Sequence, residues 1–219
     1  MDRQGQTSGS KDAGMRSAVT GGKQLDGFVH LCKELMLEAG LKEGEIYTNS
    51  KLDLPGFYRP EKKWDLLAVA NGRLLAVIEF KSQVGPSFGN NFNNRAEESL
   101  GNATDLWAAY REGAFKPSAR PWLGFMMVVE KAEGSIRPVR VNESHYPVFE
   151  EFQNTSYLQR YDLLLTKLLR ERLYDGSCLL ATAATSGIKG NYEEPNAELG
   201  FEVFAAGLVA HISAFTGRK

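Results

Sequence analysis

The chain has 219 residues, of which 42% are hydrophobic and 24% charged, and its formal net charge is -1. This length suffices for one large domain or two small ones, and we expect one domain with a sizeable core. No apolar run approaches the roughly 20 residues of a membrane span, and the N-terminus lacks the apolar segment of a secretory signal. These features argue against a membrane or secreted protein, and we expect a cytoplasmic location. A near-neutral charge neither requires nor excludes a nucleic-acid partner, because basic residues can be concentrated in one cleft.

The N-terminal quarter of the chain divides into an arm, a helix and a loop. Residues 1–22 are rich in Gly, Ser and Gln without an apolar period, which predicts a disordered arm before a single domain at residues 23–219. Apolar residues at helical spacing predict a helix from Leu25 to Ala39. Proline and glycine punctuate residues 42–63, which predicts a loop. Lys62 and Lys63 in this loop are candidates for DNA phosphate contacts, with an ordinary charged loop as the equal alternative.

Residues 64–81 are predicted to form a β-hairpin, because two apolar runs flank Asn71-Gly72, a strong turn signal. Its strands carry few charges, among them Asp65, Glu79 and Lys81. Side chains alternate along a strand, so Glu79 and Lys81 share one face. A two-residue loop would place Asp65 on the opposite face, whereas a three-residue loop or an equivalent bulge would place it on the same face. We expect the three-residue loop or the bulge.

These three side chains suit phosphodiester hydrolysis. Two convergent carboxylates are the hard oxygen ligands that Mg2+ accepts from proteins, and a neighbouring ammonium can orient a metal-bound water that attacks phosphorus. Asp65, followed after 13 residues by Glu79-Phe80-Lys81, resembles the PD-(D/E)XK nuclease motif, with Trp64 at the usual proline position. That resemblance implies that Asp65, Glu79 and Lys81 are catalytic and that the two acids bind Mg2+. On these residues alone, a simple ion pair between Glu79 and Lys81 stays an open alternative.

A run rich in asparagine follows the hairpin. We expect residues 82–94 to be a loop and residues 95–112 to be a helix. Amide and guanidinium side chains can bind adenine and guanine through two hydrogen bonds, and a polar turn is the alternative interpretation. Glu97 and Glu98 would lie at the start of the helix, where they suit its dipole or could supply an accessory metal-site acid. The candidate DNA-binding residues here are Gln83, Asn90, Asn91, Asn93, Asn94 and Arg95.

Longer segments of the chain carry a more specific resemblance. Trp64-Asp65, Glu79-Phe80-Lys81-Ser82-Gln83, the run at residues 87–98 and the run at residues 101–107 together are similar to the XhoI-type type II restriction endonucleases. The resemblance implies a Mg2+-dependent homodimer that cuts both strands of double-stranded DNA at a short palindrome. In the best-known members the site is CTCGAG, and cleavage leaves 5' overhangs with 5'-phosphate ends. It also implies a cognate DNA methyltransferase in the same restriction-modification system.

The C-terminal half is predicted to complete an α/β core. Residues 131–154 read as a long excursion suited to DNA contact or to a dimer surface, and the two cysteines are expected to be buried thiols. Lys189 and Asn191, in a glycine-rich loop, are further DNA-binding candidates. The predicted order is helix, strand, strand, helix, strand, helix, strand, helix around a mixed central β-sheet flanked by helices, the restriction-endonuclease-like core. The remaining elements are expected at residues 123–129 (strand), 157–174 (helix), 178–185 (strand) and 197–215 (helix).

Other catalytic templates find little support in the sequence. It contains no Gly-x-Ser-x-Gly, His-Glu-x-x-His, P-loop or Gly-x-Gly-x-x-Gly motif. Two alternatives stay open beside the restriction endonuclease. One is a structure-specific or repair nuclease on the same fold, and the other is a non-catalytic, sequence-specific DNA-binding protein.

Overall fold

The computed structural model describes residues 25–183 and 190–217. The predicted arm at residues 1–22 and the candidate Lys189 therefore lie outside the described residues. Residues 25–38 form helix α1. The other helices are α2 (Phe88–Arg111), α3 (Glu133–Ile136), α4 (Tyr157–Arg170) and α5 (Phe201–Thr216), and the strands are β1 (Ile46–Tyr47), β2 (Asp53–Pro55), β3 (Glu61–Lys63), β4 (Leu66–Ala70), β5 (Arg73–Gln83), β6 (Trp122–Glu130) and β7 (Gly176–Thr182).

The central sheet has five strands in the order β1-β4-β5-β6-β7, and β2 pairs with β3 in a separate hairpin. Strands β1, β4 and β5 are antiparallel neighbours, whereas β5, β6 and β7 are parallel. The mixed sheet flanked by helices confirms the predicted fold class. No helix in residues 25–183 and 190–217 is long and apolar enough to cross a bilayer.

Helices cover both faces of the sheet. On one face, side chains of α2 and α4 such as Leu106 and Leu165 join a core with Val77 of β5. On the other face, α1 and α5 contribute Met36 and Leu208 to a second core. Strand β6 is buried along nearly its whole length because both faces are covered.

Two glycines make room for a tryptophan in the second core. Gly124 of β6 and Gly176 of β7 are register partners. A Cβ atom at either glycine would collide with the indole of Trp122, which packs edge-to-face on Phe204 with ring centroids 5.0 Å apart. The bare backbone at these two positions therefore lets a large ring lie flat on the sheet.

The turn between β4 and β5 differs from the three-residue loop that we expected. Asn71 and Gly72 form a two-residue turn with φ angles of 51° and 70°, the left-handed pair of a type I' hairpin. The alternative that we gave, a bulge, is present after two ladder pairs, between Ala68 and Val69. Leu75 is the surplus residue of β5, and it packs in the same core as its neighbour Ala76.

The predicted loop at residues 82–94 is wrong. Strand β5 continues to Gln83, and α2 begins at Phe88 rather than at Arg95. Phe88 and Phe92 are one helical turn apart and lie against α4, with 5.2 Å between the ring centroids of Phe92 and Tyr161. This packing outweighs the weak helix propensity of asparagine, because tertiary contacts routinely override intrinsic preference.

Several other boundaries also differ from the prediction. Residues 42–63 contain β1 and the β2-β3 hairpin rather than a continuous loop. Helix α4 ends at Arg170 because Arg172 adopts a left-handed φ of 56°. The C-terminal helix is shorter than predicted, since a 3-10 turn at Ala197–Leu199 and extended backbone at Gly200 precede α5. The excursion at residues 131–154 contains only α3 and a 3-10 turn.

Candidate active site

The candidate site is built around a buried carboxylate on β5. Glu79 is 2% exposed, on the face covered by α2 and α4. Each of its oxygens contacts an ammonium group: Lys81 Nζ lies 2.5 Å from Oε1, and Lys62 Nζ lies 3.0 Å from Oε2. Burying an ionised carboxylate is costly unless it is paired. The two lysines therefore offset the cost of burying this carboxylate.

Lys62 was expected to contact phosphate, and the structure instead places it against Glu79. It extends from β3, and its side chain is 12% exposed. Its ammonium group also donates to the backbone carbonyl of Lys63 at 3.1 Å and lies 4.4 Å from the ring centroid of Trp64. Lys63 is exposed, as a phosphate-binding residue would be. Sequence alone did not separate these neighbours, because it gave no sign of the hairpin that turns one of them inward.

Asp65 lies at the point where the chain bends into β4. The β4-β5 ladder ends at the pair Leu66 and Ile78, so Asp65 lies just outside it, next to the part of β5 that carries Glu79. The carboxylate lies at the edge of β5, where Oδ2 accepts a hydrogen bond of 2.8 Å from the Phe80 N–H. Asp65 also lines a cleft of about 530 Å³ beside α1.

The environment of Asp65 raises its pKa above the ordinary aspartate value. Burial is the main cause, followed by the negative charge of Glu79. The Phe80 N–H and the charges of Lys81 and Lys62 act in the opposite direction. The two carboxylates therefore interact electrostatically, as two ligands of one cation would.

This arrangement fits Mg2+, which takes one or two protein carboxylates and completes its shell with water and phosphate oxygens. Asp65 and Glu79 would be the ligands. Within residues 25–183 and 190–217, no group of three or more His, Cys, Asp or Glu side chains could hold a metal, so DNA and water would supply the remaining oxygens. The carboxylates of Asp65 and Glu79 and the ammonium groups of Lys62 and Lys81 carry equal and opposite total charge. For Glu79 to bind a cation, Lys62 or Lys81 must release one of its oxygens.

The asparagine run occupies the first two turns of α2 instead of a loop. Asn90, Asn93 and Asn94 are exposed and Asn91 is half-buried. Asn90 also lines a cleft of about 630 Å³ together with Arg137 and Arg140 of the excursion. The helix thus presents exposed amides beside two arginines, a combination that suits contact with a nucleic acid.

Gln83 is the clearest error among the DNA-binding candidates. It is 1% exposed, its Oε1 accepts a hydrogen bond of 3.2 Å from the Tyr161 hydroxyl, and its Nε2 donates to the Val84 carbonyl at 2.9 Å. Gln83 lies on the same face of β5 as Glu79 and Lys81, and its side chain points into the core beneath α4. Its amide stabilises the interior of the protein and does not face a groove.

The predicted position of Glu97 and Glu98 at the start of a helix is also wrong, because α2 begins nine residues before Glu97, at Phe88. Their role as accessory metal-site acids stays a prediction. Both glutamates are exposed, and Glu98 forms an ion pair with Arg95. Burial raises the pKa of Tyr161; the charge of Arg95 acts in the opposite direction, and that of Glu98 adds to the rise. Arg95 is therefore engaged in an ion pair, and its side chain is 25% exposed.

Asn191 and a neighbouring part of its predicted loop are described, whereas the loop from residue 184 to residue 189 is not. The Asn191 side chain is exposed, and its backbone carbonyl accepts a hydrogen bond of 2.7 Å from the Thr182 hydroxyl at the end of β7. The exposed amide is compatible with the predicted DNA contact.

Sequence reasoning missed a second buried carboxylate, Asp105 of α2, which is 5% exposed. It accepts hydrogen bonds of 2.8 Å from the N–H groups of Phe57 and Tyr58 and from Nε of Arg59. Burial raises its pKa, but the hydrogen bonds from Tyr58, Arg59 and Phe57 and the charge of Arg59 outweigh burial, so the pKa is lowered. Asp105 thus fixes the tip of the β2-β3 hairpin. An aspartate in a predicted helix was the only sequence signal.

Comparisons with known proteins agree with this geometry. The family model described as restriction endonuclease XhoI matches residues 4–194. The type II restriction enzyme BstVI of Geobacillus stearothermophilus is 50% identical over 208 residues, which cover 93% of each chain. The type II restriction enzyme XhoI of Xanthomonas vasicola is 46% identical over 158 residues, 71% of this chain and 64% of that one. The type II restriction enzyme AbrI of Azospirillum brasilense is 53% identical over 131 residues, 59% of each. No solved structure matches the chain.

The mixed sheet, the paired carboxylates with their lysines and these matches define the class of the protein: it is a type II restriction endonuclease. Within that class, the chain belongs to the XhoI restriction endonuclease family.

Proposed function

We propose that this restriction endonuclease hydrolyses phosphodiester bonds in both strands of double-stranded DNA at a short palindrome, with Mg2+ as cofactor, and leaves 5'-phosphate ends. The observation that carries the proposal is the buried Glu79 carboxylate, which lies beside Asp65 and holds an ammonium group on each oxygen. A simple strand-end ion pair would need neither a second lysine nor a second carboxylate.

In this mechanism Asp65 and Glu79 hold the cofactor, and Lys81 positions the attacking water. Bound Mg2+ supplies charge stabilisation at the phosphorus and favours the hydroxide form of a water. Lys81 already lies within hydrogen-bond reach of Glu79 Oε1 and is 23% exposed, so its ammonium group can contact both the carboxylate and a water that enters from the DNA side. The backbone N–H of Phe80 orients Asp65.

The exposed amides of α2 are the proposed base-reading surface, together with Asn191. Lys63 and the cleft that contains Arg137 and Arg140 are the proposed phosphate contacts. A palindrome has two-fold symmetry, so a two-fold homodimer would place one catalytic site on each strand. CTCGAG, the site that the resemblance to XhoI-type enzymes implies, is the proposed recognition sequence. We further propose that the enzyme acts in the cytoplasm beside a DNA methyltransferase of the same specificity.

Plasmid digestion tests the proposal. The purified protein should convert supercoiled plasmid into discrete fragments with Mg2+ and leave it intact with EDTA, and sequencing of the fragment ends should locate the cuts. The variant Glu79→Gln should bind the same DNA and cut it at least about a hundredfold more slowly, given the usual effect of losing a catalytic group.

Other outcomes of the same experiment would contradict the proposal. Cleavage only at junctions or flaps would indicate a structure-specific repair nuclease, and tight binding without cleavage would indicate a DNA-binding protein without catalysis. Cleavage by Glu79→Gln at the wild-type rate would refute the role of Glu79.

A further inference from the structure

The tip of the β2-β3 hairpin exposes two aromatic side chains next to each other. Phe57 is 51% exposed and Tyr58 is 71% exposed, and their rings meet edge-to-face with centroids 4.9 Å apart. Large apolar side chains at an exposed tip lose the stabilisation that burial would give them. We call this pair the aromatic tip.

The backbone beneath the aromatic tip is fixed by interactions that a mere surface loop does not need. Asp105 accepts hydrogen bonds from the N–H groups of both aromatic residues and from Arg59, whose Nη2 donates to Asn102 Oδ1 at 2.8 Å. A Cβ atom at Gly56 would lie 2.5 Å from Asp105 Oδ2, so only glycine fits there. The two rings are therefore presented by a rigid support, which lowers the entropy lost when they bind a partner.

The same hairpin reaches the candidate active site. Lys62 lies on its returning strand and contacts Glu79 Oε2 at 3.0 Å. Tyr58 and Lys62 are four positions apart, and an extended chain of that length spans at most about 14 Å. A DNA duplex whose cleaved phosphodiester lies at Glu79 would therefore extend to within reach of the aromatic tip, since a single groove is about 12 Å wide.

We propose that Phe57 and Tyr58 form an apolar wedge that contacts the bases of the substrate duplex in a groove beside the cleaved bond. This inference rests on the proposed function. Basic residues follow the wedge along the chain: Arg59 is paired with Asp105 and Lys62 with Glu79, whereas Lys63 is exposed. Apolar side chains next to basic ones are typical of proteins that wedge between base steps.

The double variant Phe57→Ala/Tyr58→Ala tests the wedge. We expect its affinity for a short duplex that carries the sequence cut by the wild-type enzyme, measured by fluorescence anisotropy in EDTA, to fall at least about tenfold, which corresponds to ~1.4 kcal/mol. Affinity for a scrambled duplex and the slope of log affinity against log salt should not change, because no positive charge is removed. Tyr58→Phe keeps the ring and should bind like the wild type.

Controls separate this proposal from its competitors. The melting temperature should be unchanged, because both rings are exposed, and Val203→Ala on α5, which removes another exposed apolar side chain at 57% exposure, should leave DNA affinity unchanged. Wild-type affinity of the double variant would overturn the wedge, and so would a loss of affinity that accompanies conversion of a dimer into monomers in sedimentation. A wild-type protein that bound both duplexes equally would instead show that the proposed site-specific function had failed, and the wedge with it.

Discussion

Lys62→Met would test whether two lysines neutralise the buried Glu79. Methionine keeps most of the side-chain volume against Trp64 and removes only the charge. At the observed separation of 3.0 Å between Lys62 Nζ and Glu79 Oε2, the Coulomb attraction is about 5 kcal/mol with an effective dielectric constant of 20. The cost of desolvating the lysine offsets much of this attraction, and Lys81 continues to pair with the carboxylate. We therefore expect the free energy of unfolding to fall by about 1–2 kcal/mol, below the 3–5 kcal/mol typical of breaking a fully buried pair.

The assay is unfolding by urea and by heat in buffer without divalent metal. For a domain of this size, the expected loss corresponds to a fall in melting temperature of about 2–8 °C. Lys63→Met is the matched control, since Lys63 neighbours Lys62 on β3 and is exposed, and it should change stability by less than about 0.5 kcal/mol. If Lys62→Met were as stable as the wild type, or more stable, the inference that Lys62 neutralises a buried charge would be refuted.

Three further predictions concern other parts of the fold. The pKa of Asp105 is lowered in the folded protein, so its contribution to stability is present above the unfolded pKa of about 3.9 and is lost as the pH falls through the folded pKa. Asp105→Asn should therefore lower the free energy of unfolding by about 1–3 kcal/mol at neutral pH. In urea unfolding, the difference between this variant and the wild type should shrink as the pH is lowered. Gly124→Ala should lower stability by about 1–3 kcal/mol through overpacking, whereas Gly207→Ala, where the nearest atom is 3.6 Å away, should not. Burial raises the pKa of Cys32 to about 12 and that of Cys178 even more. Iodoacetamide should therefore label neither thiol in the native protein at neutral pH. Labelling of the native protein as fast as in urea would contradict the burial of these thiols.

The central strands were predictable from sequence because their signals are local. The apolar runs around Asn71-Gly72 predicted the β4-β5 hairpin, and the continuous apolar run at residues 123–129 predicted β6. The same alternation placed Glu79 and Lys81 on one face. A bulge as the alternative to a longer loop also followed from the sequence. Its position two ladder pairs from the turn did not, because no local signal marks Leu75.

The errors arose where contacts between distant segments decide the structure. The asparagine run is helical because Phe88 and Phe92 pack on α4, more than sixty residues later in the sequence. The partner of Gln83 is Tyr161, 78 positions away. Lys62 reaches Glu79 through a short hairpin whose strands have only three residues each, too few for a periodic pattern. Local periodicity carries no information about such contacts.

The bulge at Leu75 has a consequence for how the sequence of this hairpin can vary. With a two-residue turn and an unbroken ladder, residues directly across from each other differ by an odd number in the sequence. Leu66 and Ile78, the last ladder pair before Asp65 and Glu79, differ by an even number, and only the surplus residue in β5 aligns them. Relatives that lack the bulge but keep the two-residue turn should therefore have an odd interval between these acids. Deleting Leu75 should separate the two carboxylates while leaving every catalytic side chain in the protein.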